Sequence, residues 1–156
     1  MGVLFMKTKL YTSALVALTL AGGALLQSMA IAEETNPIIA ERQAVMKALK
    51  DGMGSLGGMA KGSIEFNDTQ AQAALDLIKN ATANIAATFE TNALSQTSES
   101  APAIWENWSD FVAKADDLDF ALEGWDVTSL DALRAGMGNV GATCSACHKA
   151  YRIKKN

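Results

Sequence analysis

One histidine, His148, stands in the whole chain, so no subunit can offer two imidazoles to one metal or pair them for acid–base work. There are two cysteines, Cys144 and Cys147. With His148 they make three ligands, short of the four that closed structural zinc sites use. No stretch alternates apolar and polar residues with turn signals between, which leaves β structure without support and removes the βαβ setting of a thioredoxin-like dithiol. Basic charge is not in excess, at 13 Lys and Arg against 17 Asp and Glu, which argues against a nucleic-acid partner. Glycines are frequent at positions 52–58, but no Gly-Lys-Ser/Thr ending follows, so a phosphate loop is excluded. There is no internal repeat and no extended low-complexity tract.

The longest apolar run, residues 14–26, is shorter than the roughly 20 residues that span a bilayer and contains Gly22 and Gly23. Lys7 and Lys9 precede it and Ala30-Ile31-Ala32 closes it, the order of a cleaved secretory signal peptide. Met6 is an alternative start that leaves the mature chain unchanged. Cleavage after Ala32 removes two lysines and no acid, leaving 11 basic and 17 acidic residues and a formal charge of −6. Residues 33–156 are long enough for one domain with one modest core. The expected location is the periplasm, with no membrane attachment after cleavage.

Four helical stripes are predicted. The first runs Met46, Leu49, Met53, Leu56 and Ala60, with Pro37 suited to the first turn. Gly52, Gly54, Gly57 and Gly58 fall inside it, and either admit a close neighbour or let the helix fray towards Gly62. The second runs Ala71, Leu75, Ile78, Thr82, Ile85 and Phe89, with Asn67 or Asp68 as cap. The third runs Ile104, Trp108, Phe111, Ala115, Leu118 and Leu122, opening after Pro102. The fourth runs Leu130, Leu133, Met137, Val140, Cys144, Cys147 and Tyr151, with Thr128 and Asp131 as a capping-box-like start. The all-α solution is an antiparallel four-helix bundle. The polar residues 91–101 form its longest connection, and Trp105, Trp108 and Trp125 read as core and surface aromatics.

Cys144-Ser145-Ala146-Cys147-His148 has the Cys-x-x-Cys-His spacing of c-type haem attachment. Two thiols three apart on a helix can each bond a haem vinyl group, which brings the adjacent imidazole under the iron. One motif means one haem c per subunit, covalently held by Cys144 and Cys147, with His148 as axial ligand.

Residues 144–152, Cys-Ser-Ala-Cys-His-Lys-Ala-Tyr-Arg, preceded by Gly138-Asn139-Val140-Gly141-Ala142-Thr143, resemble the C-terminal helix of the cytochromes c-prime. The resemblance extends to Glu41-Arg42-Gln43-Ala44-Val45-Met46 and to Ala103-Ile104-Trp105. The motif's place near the C-terminus separates this family from cytochromes with an N-terminal attachment site. The resemblance implies a four-helix bundle, a homodimer built from the first two helices, and a five-coordinate iron. It also implies that Met46 packs over the distal haem face, that Arg42 and Gln43 lie near the propionates, and that Arg152 lies on the proximal side. Nitric oxide and carbon monoxide are the implied ligands, and electron transfer with redox partner proteins or protection against nitric oxide the implied roles.

With one histidine, the sixth iron position is methionine, a weaker group or empty. Met46, Met53, Met59 and Met137 are the mature methionines, each at a position where methionine commonly fills a core. Arg42 stands one turn before Met46 on the same face. An uncoordinated Met46 would shield an open site for small ligands, which the family pattern favours; a coordinated one would make a low-spin electron carrier. An enzyme such as a peroxidase is disfavoured, because no second histidine remains for distal proton transfer. The basic cluster Lys149, Arg152, Lys154 and Lys155 suits the negative end of a helix dipole, with Arg152 one turn after His148.

Overall fold

The computed structural model describes residues 36–154; the expected signal peptide, residues 1–32, lies outside them. Helix α1, Pro37–Lys61, opens with Asn36 as N-cap, whose side chain accepts from the Ile38 N–H, and Pro37 follows where its missing donor costs nothing. It closes at Gly62, held at φ +77°, the left-handed conformation a helix C-terminus favours glycine for. Helix α2, Asp68–Thr82, starts on Asn67, whose side chain accepts from the Gln70 N–H.

The second and third stripes are each interrupted once. Thr82 turns its hydroxyl back onto the Ile78 carbonyl, and the Asn84 amide onto the Asn80 carbonyl. Side chains that bond the backbone in this way compete with the helical ladder. The chain turns there and resumes as α3, Ile85–Phe89. Likewise α4, Ala103–Glu106, breaks at Asn107 (φ −127°, ψ 46°) before α5, Trp108–Glu123. The last helix, α6, covers Leu130–Tyr151. Its cap is Ser129, which accepts from the Ala132 N–H, rather than the expected Thr128, whose own N–H is bonded to Asp126 Oδ1.

The elements make a four-helix bundle in which α1 packs on α2, α2 on α5, α5 on α6 and α6 back on α1. Its core runs through Leu56, Leu75, Ile78, Ile104, Phe111, Leu122, Leu133 and Val140. Trp125 is buried against Gly136 and donates its indole N–H to the Leu133 carbonyl at 3.0 Å. No helix among the described residues is long and apolar enough to cross a membrane.

The glycines of α1 do not interrupt it, and the helix runs unbroken to Lys61. Gly52 admits a neighbour: a Cβ there would lie 2.5 Å from Ile78 Cγ1 and 3.0 Å from the Ala74 carbonyl oxygen, so glycine sets the α1–α2 separation. A Cβ at exposed Gly54 would meet nothing within 4 Å. The same substitution should therefore act with opposite signs. Gly52→Ala should lower the unfolding free energy by about 1–3 kcal/mol through overpacking, whereas Gly54→Ala should raise it by about 0.5–1 kcal/mol through helix propensity. Urea midpoints of the two variants check this, and equal shifts would refute the close-packing role of Gly52.

Candidate functional site

Helix α6 carries the motif on the side that faces the core. Leu133, Val140 and Tyr151 of its stripe are buried, and Cys144 and Cys147 lie between the last two, half-buried and packed against the same cluster. The two are not joined in a disulfide. Burial is the main cause that pushes each thiol pKa up, opposed at Cys144 by its hydrogen bonds and at Cys147 by the Lys114 charge. The sulfurs are consequently neutral near pH 7, unlike a reactive thiolate. His148 follows at the helix surface, its pKa pushed down by the burial it retains and then by Arg152, with Glu99 pulling the other way. A neutral imidazole keeps a nitrogen lone pair for a metal. Two half-buried thiols three residues apart, followed by an imidazole at the helix surface, supply the two sulfurs that thioether attachment takes and the nitrogen that an iron takes, so these residues fit a covalently attached haem.

On α1, Met46 is half-buried and packs against the same core as the two cysteines, followed along the helix by Leu49 and Met53. Gln43 is exposed. Arg42, expected near a propionate, is 2% exposed, and its guanidinium is engaged with the protein itself. Its Nε donates to the Thr88 carbonyl at 3.0 Å, Nη1 to Ala93 at 2.8 Å, and Nη2 to Thr91. The rings of Phe89 and Trp105 lie 5.0 and 5.1 Å from its central carbon. Of the five guanidinium donors, one thus holds the last turn of α3 and two hold the segment that leaves it.

That segment, residues 91–101, appears in the sequence as a loop, but both of its ends are fastened. Beyond the Arg42 contacts, its far end pairs with the end of α6. Ser100 and Arg152 form an antiparallel bridge, with the Ala101 N–H donating to the Tyr151 carbonyl and the Ile153 N–H to the Glu99 carbonyl. The Arg152 side chain meets Glu99 there. Neither Glu99 nor the Tyr151–Asp110 hydrogen bond, 2.5 Å between Tyr151 Oη and Asp110 Oδ2, carries a local sequence signal. Asp110 lies 41 positions before Tyr151, and only the packing of α5 on α6 brings them together.

The sequence model of the family described as Cytochrome C' matches residues 37–152. The chain belongs to the cytochrome c-prime family. A cytochrome c-556 from Agrobacterium tumefaciens (strain apple 185) is 37% identical over 119 residues, 74% of this chain and 94% of that relative. A cytochrome c' from Alcaligenes xylosoxydans xylosoxydans is 30% identical over 118 residues, 73% of this chain and 91% of the relative. Among solved structures, the nitric oxide complex of a leucine-to-isoleucine variant of cytochrome c prime from Alcaligenes xylosoxidans superposes with a TM-score of 0.65 at 28% identity, covering 75% of this chain and 94% of that one. Family membership makes this a class II c-type cytochrome built on the four-helix bundle described above.

The Tyr151–Asp110 bond gives this end of α6 a defined pH window. It holds the Asp110 carboxyl below its ordinary 3.8 and pushes Tyr151 up to about 12. A depressed carboxyl stabilises the fold above its unfolded pKa and loses that contribution as pH falls through the folded value. A raised phenol stabilises below about pH 10 and loses its contribution as pH rises through the folded value. The stability difference between wild type and Tyr151→Phe should accordingly be flat between about pH 4 and 10 and shrink on both sides. Urea titrations across pH measure it, and a difference that ignores pH would contradict the assignment.

Proposed function

We propose that the protein is a periplasmic monohaem cytochrome in which Cys144 and Cys147 hold the haem, His148 ligates the iron, and Met46 covers the opposite face without bonding to it. The observation that carries the reading is the Cys144-to-His148 donor set on the core-facing end of α6, with Met46 packed from α1 against the same core. Bound haem supplies a one-electron iron couple and, where one axial position is open, a site for nitric oxide or carbon monoxide. The polypeptide contributes the axial imidazole, the thiols that fix the haem's orientation, and an apolar side chain that sterically filters what reaches the iron. The nitric oxide complex among the structural neighbours supports the gas-binding form of this reading.

A second reading is favoured by one observation. The relative named cytochrome c-556 is more similar to this chain, at 37% identity, than the relative named cytochrome c', at 30%. In that reading the Met46 thioether is the sixth ligand, and the protein is a low-spin electron carrier. An axial methionine favours ferrous iron and raises the potential.

Met46→Ala separates the two. With Met46 as a cover, the variant should keep a high-spin ferric spectrum and bind carbon monoxide about ten times faster or more, since a steric barrier of about 1.4 kcal/mol or more is removed. With Met46 as a ligand, a low-spin wild type should become high-spin and its reduction potential should fall. Met53→Ala is the control, expected to cost stability while leaving the spectrum alone. A spectrum that follows Met53 and ignores Met46 would refute both readings of the distal side.

A further inference from the structure

Helix α6 ends one turn beyond His148, and the structure fixes what stands there. The Arg152 backbone N–H donates to the His148 carbonyl at 3.1 Å, so the arginine is anchored on the residue expected to hold the iron. Beside it runs the fastened end of residues 91–101, with the Ala101 N–H 2.9 Å from the Tyr151 carbonyl oxygen and the Ile153 N–H 2.8 Å from that of Glu99. This two-sided pairing brings the Glu99 side chain to Arg152. The Arg152 Nε donates to Glu99 Oε2 at 2.6 Å, and Nη2 lies 2.5 Å from the same oxygen.

A pair this exposed, 54% for Arg152 and 36% for Glu99, contributes little to stability by itself. Its placement is the informative feature. The carboxylate arrives on a different element from the arginine, on a strap whose other end is held by the buried Arg42 guanidinium.

We propose that Glu99 is a positioning residue for the haem site: it fixes the Arg152 guanidinium beside His148 and neutralises its charge there. This rests on the reading that His148 binds a haem iron. Ferric haem carries one more positive charge than ferrous haem, so an uncompensated cation nearby disfavours the ferric form. With Glu99 in place the iron faces a neutral pair; without it, a lone and mobile cation.

The test uses the exported holoprotein, with haem content measured first by the alkaline pyridine spectrum. Glu99→Gln should raise the reduction equilibrium constant about three- to tenfold, tenfold being 59 mV for one electron. Arg152→Gln should lower it, the double variant should return towards wild type, and Glu99→Asp should retain most of the wild-type value. The iron–histidine stretching frequency of the ferrous protein should broaden or shift in Glu99→Gln, because the guanidinium loses its fixed place. A merely structural role would lower the melting temperature of Glu99→Gln and leave the potential and the stretch unmoved, and that result overturns the proposal. Variants with full haem and unchanged potentials defeat this inference alone, whereas wild-type protein without covalent haem defeats the functional reading beneath it.

Discussion

A buried guanidinium ties the end of the bundle where the site lies. Arg42, on α1, spreads its charge over three backbone carbonyls and two aromatic rings; the Thr88 carbonyl is in the last turn of α3, and those of Thr91 and Ala93 belong to the chain leaving it. Burial pushes the Arg42 pKa down, yet a guanidinium is basic enough to remain a cation. Removing it would take a charged donor from each of these carbonyls, and a polar group left without its partner is the costly side of the hydrogen-bond asymmetry. From that anchor the chain runs to Glu99, pairs with Arg152, and thereby braces the end of α6 next to His148. Helix α1 therefore reaches the site twice, through Met46 on the core side and through Arg42 by way of the strap.

The chemistry of the site follows from where burial stops. Cys144 and Cys147 are half-buried against the core, where two thioether bonds would hold a haem, while His148 stands at the helix surface. The helix that carries them is pinned from three directions. Ser129 caps its start, Trp125 bonds its Leu133 carbonyl, and Tyr151 anchors its end to Asp110 on α5. A rigid helix matters because a covalently attached group is held only as firmly as the backbone that bears its sulfurs.

Much of this was legible in the sequence because it is local. The stripes of α1 and α6 repeat at helical spacing, Pro37 and Asn67 mark helix starts, and the five-residue motif needs no tertiary information. Gly52 carried a readable hint, since a glycine inside a strong helical pattern asks for a close neighbour, and Ile78 is that neighbour. The breaks at Thr82–Asn84 and at Asn107 escaped because they depend on which side chain wins a backbone carbonyl, and the apolar spacing continues straight through them. Ser129 and Thr128 are both hydroxyl side chains suited to a cap, and only the folded chain shows that the Ser129 hydroxyl accepts from the Ala132 N–H. The strap was illegible for a stronger reason: its arginine partners, Arg42 and Arg152, are 49 to 53 positions away, and a polar stretch rich in Ser and Thr gives no periodicity to betray them. The resemblance placed Arg42 by family pattern, but its engagement with Thr88, Thr91 and Ala93 could only come from coordinates.

The central claim is that the end of α6 bears one haem through two thioether bonds. The intact mass of the protein exported by a host with haem-maturation machinery, measured under denaturing conditions together with a thiol titration, tests it most directly. The account predicts the mass of residues 33–156 plus one haem and no reactive thiol. Two titratable thiols at Cys144 and Cys147, on a chain whose mass carries no haem, would contradict it.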